Sequence, residues 1–171
     1  APSLPDFADV SAVATQPDGK VLAAVEGMTQ DHTLTHLVRF LPDGGLDVGF
    51  PIPVSDARDG SIQAIVLQPD GKILVGGSFQ AVNGVSRRSI ARLENNGAVD
   101  SSFNAGSGVY FVADLVLQPD GRIVMVGAFD EVNQVHDGVV RLMADGGVDA
   151  SFMTNVAYGL STMALQADGR I

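Results

Sequence analysis

The residues of this sequence best placed to do chemistry are three arginines, each followed eight residues later by an aspartate. The pairs are Arg39 and Asp47, Arg92 and Asp100, and Arg141 and Asp149. Each Arg falls on one predicted strand and its Asp on the next strand of the same hairpin, so we expect bidentate ion pairs with a structural role. The alternative is a ring of anion-binding arginines, which requires the guanidinium groups to point toward a common axis.

Histidine and acidic residues do not form a convincing metal site in the sequence. His32 and His36, with Asp31 beside them, have a spacing that aligns side chains on a helix but not between a loop and a strand. His136 and Asp137 form a single pair in a loop. Four turns each supply one carboxylate, whereas Ca²⁺ takes about six to eight oxygen ligands. These aspartates are Asp18, Asp70, Asp120 and Asp168. We therefore predict no metal and no cofactor.

The sequence also lacks the marks of covalent catalysis. Cysteine is absent, which excludes disulfides, thiolate metal sites and cysteine nucleophiles. No serine lies in the Gly-x-Ser-x-Gly turn of hydrolases, and no histidine recurs with the serines. Tryptophan is absent too, so Tyr110 and Tyr158 are the best candidates for ligand contact, as exposed aromatic platforms in predicted loops.

A tandem repeat positions these residues. A Gln-Pro-Asp-Gly-Lys run begins at Gln16 and recurs, with variation, at Gln68, Gln118 and Gln166, so the copies are 52, 50 and 48 residues apart. A second signature keeps the same period, at 39–50, 92–103 and 141–152. Self-similarity at this period is typical of repeat architectures.

The second repeat shows the expected strands most clearly. Runs at 62–68 and 72–79 flank Pro69-Asp70-Gly71, the turn chemistry of a three-residue hairpin loop. Runs at 89–94 and 98–103 flank a second such turn. Tight hairpins join antiparallel neighbours, so each repeat is predicted to be a four-stranded meander, with segments such as 51–61 crossing to the next sheet.

Four short antiparallel strands in each unit of roughly 50 residues predict an all-β fold, a β-propeller. The expected blades are residues 10–50, 61–103 and 112–152, with the inner strand of a fourth at 160–171, all in one domain. A β-sandwich and a β-solenoid are the competing folds, but neither explains two hairpins in each repeat. Gly76, Gly77 and Gly127 are expected either where two sheets approach closely or at bulges.

Known propellers have at least about four blades, so we expect either a fragment of a larger propeller or a ring made from two partial arcs. Leu4–Phe7 loosely resembles a fourth strand and could close such a ring; a disordered leader is the alternative. The open edge at 160–171 favours self-association or a continuation of the chain.

The composition limits the partners. The net charge of -10 repels phosphate backbones, so we expect no nucleic-acid partner. No apolar stretch reaches the length of a membrane helix, so we expect no membrane insertion.

The two linked signatures resemble those of the delta-60 repeat family, bacterial β-propeller proteins that are largely secreted or on the cell surface. The resemblance covers residues from about 10 to 171, and it includes 82–84 and 132–134 in the loop between second and third strands. It implies export and an adhesive or scaffolding role, and it carries no catalytic residues to transfer.

These observations favour a non-enzymatic binding or scaffold module that contacts a protein or a glycan through its inter-blade loops. Two alternatives stay open. One is a structural protein that assembles into a fibre or lattice through the open blade edge. The other is a propeller lyase or hydrolase with an axial site, which requires polar residues that converge on the axis.

Overall fold

The computed structural model describes residues 7–28, 33–50, 52–55, 60–129, 138–152, 160–166 and 168–171. These residues form antiparallel strands and contain no helix. The twelve strands are β1 (Phe7–Thr15), β2 (Val21–Met28), β3 (Thr33–Phe40), β4 (Ile52–Ser55), β5 (Ser61–Leu67), β6 (Ile73–Ser78), β7 (Ala81–Val82), β8 (Val85–Ser86), β9 (Ile90–Leu93), β10 (Val109–Leu117), β11 (Ile123–Phe129) and β12 (Gly138–Leu142).

Each repeat contributes one sheet to the structure. The first sheet has the order β1-β2-β3-β4 and is extended by β7 and β8; the second is β5-β6-β9 and the third β10-β11-β12. The small hairpin of β7 and β8 leaves the second repeat and pairs with β4 of the first, where Val54 lies opposite Val82. This pairing joins neighbouring blades through backbone hydrogen bonds.

The predicted three-residue hairpin is present in the first three copies of the first signature, and its two backbone hydrogen bonds recur at Gln166 in the fourth. In the second repeat the Gln68 N–H donates to the Lys72 carbonyl at 2.8 Å, and the Gly71 N–H donates to the Gln68 carbonyl at 2.9 Å. Gly71 has a φ of 86°, which a side chain would disfavour. The Asp70 carboxylate accepts the Lys72 N–H at 3.1 Å. This aspartate therefore serves the turn, as do its counterparts Asp18, Asp120 and Asp168.

The predicted fourth strand differs from the observed one. After the third strand, each second signature makes a single β-bridge, as between Leu93 and Val99. The run then turns, because Asp100 accepts hydrogen bonds from the Ser102 N–H at 2.9 Å and its hydroxyl at 2.7 Å, a local pattern that competes with a strand. In the first blade the fourth strand is β4, which lies inside the segment predicted to cross between sheets.

An irregularity recurs at one position of every inner strand. The register of β1, β5 and β10 shifts between Val10 and Ala12, Ile62 and Ala64, and Val112 and Asp114. Gly77 and Gly127 lie opposite these bulges, where an added Cβ would be 2.0 Å from a carbonyl oxygen of the bulged strand. Both glycines are therefore required by a bulge within the blade.

Gly76 has the other predicted role, at the contact between two blades. A Cβ at this position would lie 2.7 Å from Val112 and 2.9 Å from Leu115, both on the inner strand of the next blade. The core follows the same arrangement, because each of the two larger buried clusters draws residues from two neighbouring repeats. Hydrophobic burial in this fold therefore lies between the sheets.

On the inner strand of the first blade, the side chains that correspond to this blade contact are exposed. Val10 and Val13 occupy the repeat positions of Val112 and Leu115, yet they are 60% and 64% exposed. No other described sheet packs on this side of β1. At the other end of the array, residues 160–166 lie beside β10, where the Asp114 carboxylate accepts hydrogen bonds from Thr162 Oγ1 at 3.0 Å and the Met163 N–H at 2.9 Å.

Candidate binding site

The structure brings together each arginine and aspartate that the sequence pairs. Arg39 donates from Nε and Nη2 to Asp47 at 2.9 and 2.7 Å. Arg92 Nε donates to Asp100 at 2.8 Å. Arg141 lies within 2.9 Å of Asp149 through Nε and within 2.8 Å through Nη2. In all three pairs the contact is to a single carboxylate oxygen, Oδ2, so the pairs do not have the two parallel hydrogen bonds that were expected.

The last phenylalanine of the second signature completes each cluster. The guanidinium carbon of Arg39 lies 3.9 Å from the centre of the Phe50 ring. The corresponding distances are 4.9 Å for Arg92 over Phe103 and 4.4 Å for Arg141 over Phe152. These are cation–π distances. The Arg, Asp and Phe of the signature are therefore one structural unit, repeated in every blade.

In the second and third repeats, the basic residue of the first signature reaches the same carboxylate. Lys72 Nζ lies 2.6 Å from Asp100 and 3.0 Å from Glu94. In the third repeat, Arg122 Nε lies 3.3 Å from Asp149. In these two repeats each signature therefore supplies one cation to a shared aspartate, whereas Lys20 of the first repeat pairs with Asp18.

The electrostatics of these aspartates agree with a structural role. Burial raises the pKa of Asp100, but hydrogen bonds from Lys72, Ser102 and Arg92 outweigh it and hold the pKa well below its ordinary value. The hydrogen bond from Arg39 lowers the pKa of Asp47 in the same way. Carboxylates of lowered pKa stay ionised near neutral pH, so they are poorly suited to accept or donate a proton in catalysis.

Arg39 and Arg92 also contact the following blade. Arg39 Nη1 donates to the backbone carbonyl of Asn95 at 2.7 Å, and Arg92 Nη1 donates to that of Ala144. Asn95 and Ala144 hold the same position in the turn of their own repeats. These contacts of Arg39 and Arg92 fasten one blade to the next, which favours the structural role of the arginines.

A comparison with known families agrees with this geometry. The family described as "Domain of unknown function (DUF5122) beta-propeller" matches residues 16–50, 68–103 and 118–152. The chain belongs to this family. Each match begins at the Gln of the hairpin and ends at the Phe of the cluster, so the matched unit contains both signatures. The membership and the antiparallel sheets confirm the prediction of a β-propeller. No curated protein matches the chain significantly.

The DUF5122 repeats leave a cavity of about 590 Å³ between the second and third blades, here called the loop pocket. One side is the end of the β7–β8 hairpin with the residues before β9, and the other is the crossing segment 104–107. The lining residues are Gln80, Ser86, Arg87, Arg88, Ile90, Asn104, Ala105, Gly106 and Ser107. Its volume is within the usual range for small-ligand sites.

Arg88 connects the loop pocket to one of the predicted contact residues. Its guanidinium carbon lies 3.9 Å from the centre of the Tyr110 ring, and its Nη1 donates to the Ser107 carbonyl at 3.0 Å. Tyr110 lies on β10 and not in the predicted loop, because the inner strand begins earlier, at Val109, and its side chain is 45% exposed. The predicted platform therefore lies beside a pocket, whereas Tyr158 falls outside the described residues.

The backbone that carries Arg88 is strained. Ser89 has a φ of 59°, which is uncommon for a residue other than glycine. The Ile90 N–H donates to the Arg88 carbonyl at 2.7 Å across this tight turn, and Ser89 Oγ donates to the Tyr110 carbonyl at 2.8 Å. Strain of this kind persists where the surrounding structure holds it, often at a functional site.

The remaining predicted groups do not join a site. Among the described residues, no group of three or more His, Asp and Glu is arranged to hold a metal ion. His36 lies on β3, where burial lowers its pKa. Asp31, His32, His136 and Asp137 fall outside the described residues. In the described part of the chain, no helix is long and apolar enough to cross a membrane.

Sequence reasoning missed Arg87 and Arg88, because they have no counterpart in the other repeats. Two signals were available. They are the one adjacent pair of basic residues in the sequence, and no Asp or Glu occurs between Gly71 and Leu93.

Proposed function

We propose that this chain is a non-enzymatic binding module that contacts a glycan or a protein through its inter-blade loops. The observation that carries the proposal is the loop pocket, a concave surface with polar and cationic lining beside the exposed ring of Tyr110. Pockets with a few convergent polar groups are the usual form of a ligand site. The rigid sheets on both sides hold the two loops in place without a ligand.

The rest of the described surface supports binding over catalysis. The aspartates of the second signature form ion pairs within their blades, as Asp100 does with Lys72 and Arg92, and these contacts stabilise the fold. The described lining of the loop pocket contains no Asp, Glu or His, the usual general acids and bases.

A panel of surface glycans and proteins provides the test. We expect the wild-type protein to bind at least one member of the panel, and we expect Tyr110→Ala to weaken that binding. Exposed Val48→Ala, at a turn away from the pocket, is the matched control. Incubation of the bound member with the chain, followed by mass spectrometry, should return it unchanged. A chemically altered product would overturn the non-enzymatic function.

We further propose that the repeats are of the delta-60 type and that the protein is secreted or displayed on a bacterial surface. The support is the pair of linked signatures, which recur in phase along the chain. Fractionation of the producing bacterium should place the protein in the medium or at the cell surface. Recovery from the cytoplasm alone would contradict the proposal.

We propose self-association, or pairing with a further strand, at the 160–171 edge. A hollow of about 620 Å³ lies between this segment and the third blade, and Val126, Phe152 and Met163 line it. The native mass should then exceed the 17.7 kDa of one chain at high concentration. A monomer at all concentrations would contradict self-association.

A further inference from the structure

The charges of the described residues single out the loop pocket. Seven of the nine described Lys and Arg side chains form an ion pair with a carboxylate. These are Lys20, Arg39, Lys72, Arg92, Arg122, Arg141 and Arg170. The two without a carboxylate partner among the described residues are Arg87 and Arg88, and both line the loop pocket. In a chain of net charge -10, two adjacent cations are thus kept apart from the protein's own carboxylates.

We propose that the loop pocket binds a sugar that carries a carboxylate, such as a uronic acid at the end of a glycan. This inference rests on the proposed binding function and adds the chemical class of the ligand. Guanidinium groups bind carboxylates through two parallel hydrogen bonds, which gives both strength and orientation.

The hydrogen bonds of the two arginines leave capacity for such a ligand. Arg87 Nη1 donates to the Ser86 carbonyl at 2.8 Å, but its Nε is buried and has no hydrogen-bond partner among the described residues. Arg87 Nη2 donates to no described residue either, so it is the donor that remains for an anion in the pocket. Arg88 is oriented in advance by Ser107 and Tyr110.

The other lining groups favour a sugar over an acidic peptide. Gln80, Ser86 and Asn104 supply amide and hydroxyl groups that match sugar hydroxyls. The exposed part of the Tyr110 ring offers an apolar surface on which a sugar ring can pack.

The net charge favours a single carboxylate over a polyanion. Long-range repulsion from a chain of charge -10 acts on every charge of a ligand, whereas the attraction of Arg87 and Arg88 acts only inside the pocket. A glycan that is neutral except for its terminal acid therefore gains the local attraction and meets little repulsion.

Titration calorimetry with two trisaccharides tests the inference. One ends in glucuronic acid and the other in glucose at the same position. We expect the acidic trisaccharide to bind at least about tenfold more tightly than the neutral one, and polygalacturonate to bind more weakly per sugar than the acidic trisaccharide. Arg87→Gln and Arg88→Gln should each weaken the acidic trisaccharide about tenfold. Arg170→Gln, which changes the net charge equally but lies far from the loop pocket in the sequence and outside its lining, should leave it unchanged.

Arg88→Lys keeps the charge and loses the planar fork, so an intermediate loss is expected even if Arg88→Gln impairs folding. Equal binding of the two trisaccharides, or full affinity in Arg87→Gln, would overturn the inference while the binding function stands. Preferential binding of a glutamate-rich peptide would overturn the assignment of a sugar ligand and indicate a protein ligand. Failure of every panel member and of both trisaccharides would overturn the inference and the binding function together.

Discussion

Arg39 donates a hydrogen bond to the backbone carbonyl of Asn95, 56 positions further along the chain and in the next blade. The same guanidinium pairs with Asp47 and lies over the Phe50 ring of its own blade. One side chain thus joins the inside of a blade to its neighbour, and Arg92 repeats the arrangement toward Ala144. Stability in this array should therefore be sensitive to the hydrogen-bonding geometry of these arginines as well as to their charge.

Arg92→Lys should destabilise the protein by about 1–2 kcal/mol, although it conserves the charge. A lysine has one ammonium group and cannot reach Asp100, Ser102 and the Ala144 carbonyl together, as Arg92 does. Urea unfolding provides the measurement. Arg170→Lys, at an exposed ion pair, is the control and should change the free energy of unfolding little. Equal effects of the two substitutions would contradict the role of Arg92 between blades.

Acidification should destabilise the fold through the cluster aspartates. Asp47, Asp100 and Asp149 all have a lowered pKa in the folded protein relative to an ordinary value of 3.8. A carboxylate of this kind contributes stability above its unfolded pKa and loses that contribution as the pH falls toward the folded pKa. The urea midpoint should therefore decrease below about pH 4.

Asp100→Asn should lower the midpoint at pH 7 and flatten its decrease toward acid pH. The amide cannot be titrated, and it is a weaker partner for Lys72 and Arg92. A midpoint profile parallel to that of the wild type would show that Asp100 does not contribute to the acid sensitivity.

Gly76→Ala should destabilise the protein by about 1–3 kcal/mol, because the new methyl group meets Val112 and Leu115 of the next blade. These neighbours are side chains, so Val112→Ala in the same protein should recover part of the loss. Gly77→Ala is the matched comparison. Its methyl group meets the Ser61 backbone carbonyl, and Val112→Ala should give no recovery there. Recovery in both double variants would contradict the distinction between a blade contact and a bulge.

Ser89→Gly should be less destabilising than Ser89→Ala. Both lose the hydrogen bond to the Tyr110 carbonyl, which is worth about 1 kcal/mol, but only glycine relieves the positive φ. The third repeat has Gly138 at the equivalent position, with a φ of 111°. Thermal unfolding of the two variants gives the order, and a more stable Ser89→Ala protein would contradict the strain.

The parts of this structure that were predictable from the sequence depend on short spacings. The Pro69-Asp70-Gly71 turn is a local matter of backbone angles, and the eight residues from Arg92 to Asp100 span one hairpin. Because the turn and the ion pair recur with the repeat, the propeller could be predicted from two short motifs.

Other features depend on contacts that the local pattern does not contain. The fourth run of each repeat looks like a strand by composition. In the second repeat, Asp100 accepts a hydrogen bond from the Ser102 N–H, and the chain turns after a single β-bridge. β4 forms where a crossing was expected, because Ile52 and Val54 find buried positions beside β3 and β7. Arg87 and Arg88 could not be predicted from the repeat, because they occur in one repeat alone.

The hydrogen bonds from Arg39 and Arg92 to the following turn also give the array a direction. The first two blades donate through the Arg of the third strand, and the second and third blades accept through the carbonyl of the turn, so the second repeat carries both groups. Because the donor and the acceptor both lie in the repeated signature, a blade added by duplication of one such unit would present both groups to its neighbours.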